Sequence, residues 1–144
     1  MIFWDASAVL PLCVQEEQSS LVRDLLLGDP AMVVWWGTPI ECCSALARLQ
    51  REGHLDQQAV SRAVRFLDSL RADWSEIVPS HQVREGALRC ISVHGLKAAD
   101  SLQLAAAMVW SNYRPTGHFF ACFDKRLQQA AHNEGFRIVP IVKG

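Results

Sequence analysis

Short apolar runs alternate with longer helix-permissive segments along almost the whole chain. The runs at residues 2–4, 32–36, 74–78, 119–123 and 137–142 read as strands. Strands that alternate with helices in this way point to a parallel sheet covered on both faces. The expected fold is therefore α/β: a single domain over residues 1–144, with a central five-stranded, mostly parallel sheet flanked by helices on both sides.

The helix signals between the runs are equally concrete. Residues 6–13 follow Asp5 directly and contain Pro11. Residues 16–27 place Leu21, Val22, Leu25 and Leu26 on one face and stop at Gly28. Thr38-Pro39-Ile40-Glu41 has the form of a capping box, with Thr38 at the N-cap, Pro39 at the first helical position and Glu41 at the third. That helix runs to Glu52. Asp56 caps another, to Arg71, and the pair is the largest departure from simple alternation. Ser80 opens a helix to His94 with Val83, Ala87, Leu88 and Ile91 facing inward, and Gly95 ends it. An Ala- and Leu-rich helix then extends to Asn112, and a last one covers 125–133.

That Ala- and Leu-rich segment carries one acid, Asp100, among Ala99, Leu102 and Leu104. An unpaired carboxylate in apolar surroundings either neutralises or finds a partner. The topology supplies candidates. In open parallel sheets, ligands bind beyond the carboxyl ends of the strands. Asp5 and Asp124 both stand there, each following an apolar run, and Glu41 lies in the first turn of the helix after the second strand. Each also has a local explanation, since Asp5, Glu41 and Asp124 all sit where a helix cap is useful. The conjunction carries more weight. Four carboxylates within about 5 Å of one another repel by on the order of 3 kcal/mol per pair at an effective dielectric of about 20. A divalent cation relieves that repulsion, and hard oxygen ligands favour Mg²⁺ or Mn²⁺.

Composition fits such a site. The formal charge of −1 argues by itself against a nucleic-acid partner. Setting four acids aside from the 15 Asp and Glu leaves 11 against 14 Lys and Arg, a mildly basic remainder suited to a phosphate backbone. Lys125 and Arg126 stand at the expected site edge as candidate RNA-backbone contacts. The five cysteines form no CxxC pair and lie in apolar segments, which reads as buried free thiols in a reducing, cytoplasmic setting. No stretch approaches the length of a membrane helix, and the N-terminus lacks the pattern of a secretory signal.

Asp5-Ala6-Ser7-Ala8 after the first strand, the Thr38-Pro39-x-Glu41 helix start, the segment from His94-Gly95 through Asp100 to Ala107, and Phe123-Asp124-Lys125-Arg126-Leu127 together resemble the PIN-domain ribonucleases. Within them the chain most resembles the VapC toxins of toxin–antitoxin pairs, over about residues 2–142. The resemblance implies a PIN-like fold and metal-dependent endonucleolytic cleavage of RNA. It implies an acidic quartet of Asp5, Glu41, Asp100 and Asp124 binding Mg²⁺ or Mn²⁺, with the Ser7 hydroxyl in support. It also implies an antitoxin partner and a homodimer. One position departs from the pattern: Cys122 stands where relatives often have Thr or Ser, so a weak S–H donor replaces a hydroxyl.

Two other readings compete. A PIN-like module that binds RNA or protein without catalysis is compatible with Cys122. A receiver-type phospho-signalling domain would want paired acids after the first strand and a phospho-accepting Asp after a middle one. Here Trp4 precedes Asp5, and the middle runs end near Gly37 and Pro79.

Overall fold

The computed structural model describes residues 1–142. The elements in chain order are β1 (Ile2–Trp4), α1 (Ala6–Cys13), α2 (Ser19–Gly28), β2 (Met32–Trp35), α3 (Thr38–Arg51), α4 (Gln57–Asp73), β3 (Ser75–Ile77), α5 (His81–His94), α6 (Ala98–Trp110), β4 (Phe119–Ala121), α7 (Lys125–Glu134) and β5 (Arg137–Val139). The five strands form one sheet of order β3-β2-β1-β4-β5, parallel at every pairing. The expected α/β class and helix-covered sheet are borne out, with the sheet wholly rather than mostly parallel.

Strand alternation sorts the core into two layers. Phe3, Val33, Trp35, Phe120 and Cys122 pack on one face against α5, α6 and α7. Ile2, Trp4, Met32, Val34 and Ala121 pack on the other against α1 to α4. Helix starts follow local chemistry: the side chains of Asp5, Asp56, Ser80 and Asp124 accept backbone N–H bonds from Ser7, Ala59, Val83 and Leu127. Each such cap is worth about 1 kcal/mol.

Several expectations are corrected. The capping box at Thr38 does not form. Gly37 is the N-cap, no side chain caps the helix, and Thr38 is its first residue, fully buried. A Cβ on Gly37 would lie 2.6 Å from Trp35 Nε1, so the chain can turn tightly there only through glycine. Strand β2 ends at Trp35 rather than Trp36, and Trp36 is 48% exposed. On α5, Val83 and Ala87 face inward as expected, but Cys90 joins them while Leu88 and Ile91 lie exposed. Of the five free cysteines, Cys43 is exposed and Cys13 only partly buried.

The α5 correction has a packing cause. Gly86 meets Ala105 of α6 so closely that a Cβ at Gly86 would lie 3.2 Å from the Ala105 Cβ. Small residues turned inward let the two helices approach, and the larger Leu88 and Ile91 are displaced outward. Gly86→Val should therefore lower stability by about 1–3 kcal/mol through overpacking. The check is a urea unfolding curve, and an unchanged midpoint would show that α5 and α6 tolerate separation.

Candidate active site

The strand order fixes where a ligand can bind. From β1 the chain winds outward through β2 to β3, then returns to the other side of β1 to place β4 and β5. The winding reverses between β1 and β4, and the crevice at such a switch point is the usual ligand site of an open parallel sheet. Asp5 follows β1 directly, and Asp124 stands just beyond β4. The Asp5 N–H donates to Ala121 O at 3.0 Å, which ties these two strand ends together.

Asp5 is buried, and its Oδ2 takes all three of its side-chain-directed bonds. Ser7 N–H donates at 3.2 Å, the Ser7 hydroxyl at 2.5 Å and the Cys122 thiol at 3.5 Å. Ser7 Oγ also accepts from Phe123 N–H at 2.9 Å, so one hydroxyl bridges the ends of β1 and β4. Cys122, fully buried, sits 3.5 Å from the Asp124 carbonyl as well as from Asp5. The sulfur thus lies between the Asp5 carboxylate and the backbone of Asp124. Burial raises its pKa further above the ordinary thiol value, so it remains a neutral donor.

Asp124 is exposed and caps α7 through Oδ1, which accepts from Leu127 N–H at 2.9 Å. Capping and site membership are therefore compatible. Asp5 and Asp124 each use one oxygen to start a helix, and the other oxygen accepts no hydrogen bond among the described residues. Glu41, in the first turn of α3, accepts from Gln103 Nε2 at 2.8 Å. Asp100, in the first turn of α6, is half-buried. Among the described residues, none of the four acids forms an ion pair with a Lys, Arg or His.

The acids feel one another. Burial raises the Asp5 carboxyl above the usual range, against the Ser7 and Cys122 hydrogen bonds that favour its charged form. Glu41 is pushed up to about 7, chiefly by burial and further by the charges of Asp5 and Asp100, with the Gln103 hydrogen bond opposing. Asp100 is pushed up to about 6 by burial, then by Asp124 and Asp5, with Lys97 opposing. As they stand, no three His, Cys, Asp or Glu side chains among the described residues converge tightly enough to hold one ion. The donor set is nonetheless of the hard-oxygen type that suits Mg²⁺ or Mn²⁺, and Asp5 and Asp124 each keep one oxygen without a hydrogen bond among the described residues.

Lys125 and Arg126 are exposed in the first turn of α7, beside Asp124. Sequence reasoning missed Gln103 and Gln128. Gln128 Nε2 donates to Cys122 O at 2.6 Å and so braces the segment between β4 and Asp124. Gln103 carried a readable signal: it is a polar side chain in the same apolar helix, one turn after Asp100.

No family model matches the sequence. Two curated relatives do: Ribonuclease VapC45 of Mycobacterium tuberculosis strain CDC 1551 / Oshkosh and Ribonuclease VapC49 of Mycobacterium tuberculosis strain ATCC 25618 / H37Rv. Each is 30% identical over 141 residues, covering 97% of this chain and 95% of its own. The chain belongs to the VapC ribonuclease family. Solved structures agree on the fold. VapC20 of Mycobacterium tuberculosis, described as a sarcin–ricin loop cleaving toxin, superposes with a TM-score of 0.62 at 17% identity, covering 90% of this chain and 95% of that one. FitAcB from Neisseria gonorrhoeae superposes with a TM-score of 0.66 at 16% identity, covering 97% of both. VapC membership sets aside the receiver-type reading, and it makes the edge carrying Asp5 and Asp124 the natural place to look for RNA chemistry.

Proposed function

We propose that this VapC-family endoribonuclease toxin hydrolyses RNA phosphodiester bonds with Mg²⁺ or Mn²⁺ held by Asp5, Glu41, Asp100 and Asp124. What supports this reading is that Asp100 feels the charges of Asp124 and Asp5, and Glu41 those of Asp5 and Asp100, at the sheet edge beyond β1 and β4, with no basic ion-pair partner for any of the four among the described residues. A divalent cation bound there lowers the pKa of a water and neutralises charge developing on the phosphate. The chain's own residues do the rest. Ser7 and Cys122 fix Asp5 through Oδ2 and leave Oδ1 free for the cation. Asp124 is held at the opening by its cap on α7. Lys125 and Arg126, exposed next to it, contact the RNA backbone.

The same reading covers the partners. The chain acts as one domain, as a homodimer in the cytoplasm, and a cognate antitoxin restrains it. Leu12, Leu25 and Leu26 are part-buried apolar residues along α1 and α2, which suits a partner helix laid against them. No helix among the described residues is long and apolar enough to cross a membrane.

Thermal unfolding tests the metal site without relying on catalysis. Millimolar Mn²⁺ should raise the melting temperature of the wild-type protein by several degrees, as expected for a ligand well above its Kd. Asp5→Asn should lose most of that shift. Cleavage of RNA that persists in excess EDTA would rule out metal dependence.

A further inference from the structure

We infer that Gln103 is a positioning residue for Glu41, holding that carboxylate where a divalent cation can reach it; the inference rests on the metal site proposed above. Gln103 lies in α6, one helical turn beyond Asp100, and is fully buried. Its Nε2 carries two hydrogens and meets two acceptors, Glu41 Oε2 at 2.8 Å and Thr38 Oγ1 at 3.0 Å. Both acceptors belong to the first turn of α3, so one amide joins the two helices that carry Asp100 and Glu41.

The orientation of that amide is informative. Gln103 Oε1 is buried and has no hydrogen-bond partner among the described residues. Turning the amide over would satisfy nothing at Glu41, because a carbonyl oxygen would then face a carboxylate oxygen. The side chain therefore bears a buried orphan acceptor in order to present both N–H groups toward α3. A residue there only to fill space has no reason to bear that cost, since an apolar side chain of similar length leaves no orphan.

The acid it serves is the one that most needs holding. Asp5 and Asp124 are short side chains fixed by backbone N–H groups of the helices they start. Glu41 is longer, starts no helix and has Gln103 as its side-chain partner. With Thr38 anchoring the amide and the amide fixing Oε2, the Glu41 Oε1 atom is left without a hydrogen bond among the described residues, free for a cation. Without Gln103, Glu41 would be ordered only at the moment of metal binding, and the lost rotamer freedom would weaken binding about tenfold.

The test is a Mn²⁺ titration followed by thermal unfolding, with RNA cleavage kinetics alongside, on wild type, Gln103→Met, Thr38→Ser and the double variant Thr38→Val/Gln103→Met. The double variant removes the amide and the Thr38 hydroxyl together and leaves Glu41 Oε2 as the one acceptor that loses its donor, so its metal-free melting temperature should fall by about 4 °C or less, and the protein stays folded for the titration. Both Gln103 variants should need about tenfold more Mn²⁺ for half of the melting shift, with KM for RNA within about twofold of wild type. Thr38→Ser keeps the hydroxyl anchor and should titrate like wild type. If wild type responds to Mn²⁺ and the Gln103 variants respond at the same concentration, the positioning role is overturned and the metal site stands. If wild type shows no response, the metal site is overturned and the role of Gln103 with it.

Discussion

Asp100→Asn should abolish RNA cleavage while leaving the protein folded. The substitution keeps the shape of the side chain and removes only its charge. Among the described residues that carboxylate makes no side-chain hydrogen bond or ion pair, so nothing structural depends on the charge. Ionised, it is if anything a burden on the fold, because burial and the charges of Asp124 and Asp5 push its pKa up to about 6. The variant should therefore melt at or slightly above the wild-type temperature in EDTA. Catalysis should suffer far more. A cation contributes several kcal/mol of charge stabilisation to such a reaction. Losing roughly 4 kcal/mol of it corresponds to about a thousandfold in rate. Because the acids would act as a unit, adding Asp5→Asn to Asp100→Asn should cost little more than either alone. The measurement is initial cleavage rate on a susceptible RNA in Mg²⁺, with melting temperature as the folding control. A rate within tenfold of wild type would remove Asp100 from the mechanism.

The legible parts of this molecule are those where local chemistry and the global fold ask for the same residue. Asp5 is the clearest case: a carboxylate after a short strand starts α1 over the expected Ala6–Cys13 and also stands at the switch point of the sheet. Ser80 and Gly95 bound α5 for reasons contained within a few residues. The misread parts depend on contacts between distant segments. Glu41 looked like half of a capping box, but Gly37 packs under the Trp35 indole and moves the helix start, which turns Thr38 inward toward Gln103. The inward face of α5 was assigned to the larger apolar residues. The close approach of Gly86 to Ala105 selects the small ones instead. Gln103 escaped notice because its two partners lie more than sixty positions away in sequence, on another helix. The rule that drew attention to Asp100, a polar group in an apolar helix, applies to it equally.

The metal-free protein should lose stability as the pH rises from about 5 to about 8, the reverse of the usual behaviour of paired carboxylates. The sign follows from the direction of the shifts. Glu41 is pushed from 4.5 up to about 7 by burial and by the neighbouring acids, and Asp100 from 3.8 up to about 6. In the unfolded chain both groups ionise near their ordinary values. Between those values and the raised ones, the folded state holds more protons than the unfolded state, so unfolding free energy falls with pH. The contribution is fully present below about pH 4, shrinks through pH 5 to 7, and is gone above about pH 7.5. Half-buried acids are partly screened, which brings the combined effect down to on the order of 2 kcal/mol. Glu134, whose carboxyl lies below its ordinary value despite burial because Arg89 and His94 bond to it, changes stability only at more acid pH. Glu134 therefore does not set the slope above pH 5.5, and comparison with Glu41→Gln isolates the part that belongs to the site. Urea unfolding in EDTA at several pH values measures the slope, and Glu41→Gln should flatten it and make the variant more stable than wild type at pH 8. Mg²⁺ at pH 8 should restore stability to wild type and do less for Glu41→Gln, since the cation offsets the repulsion that protonation relieves at lower pH. A stability that stays level or climbs between pH 5.5 and 8 would mean that the four acids are not held against one another as a group.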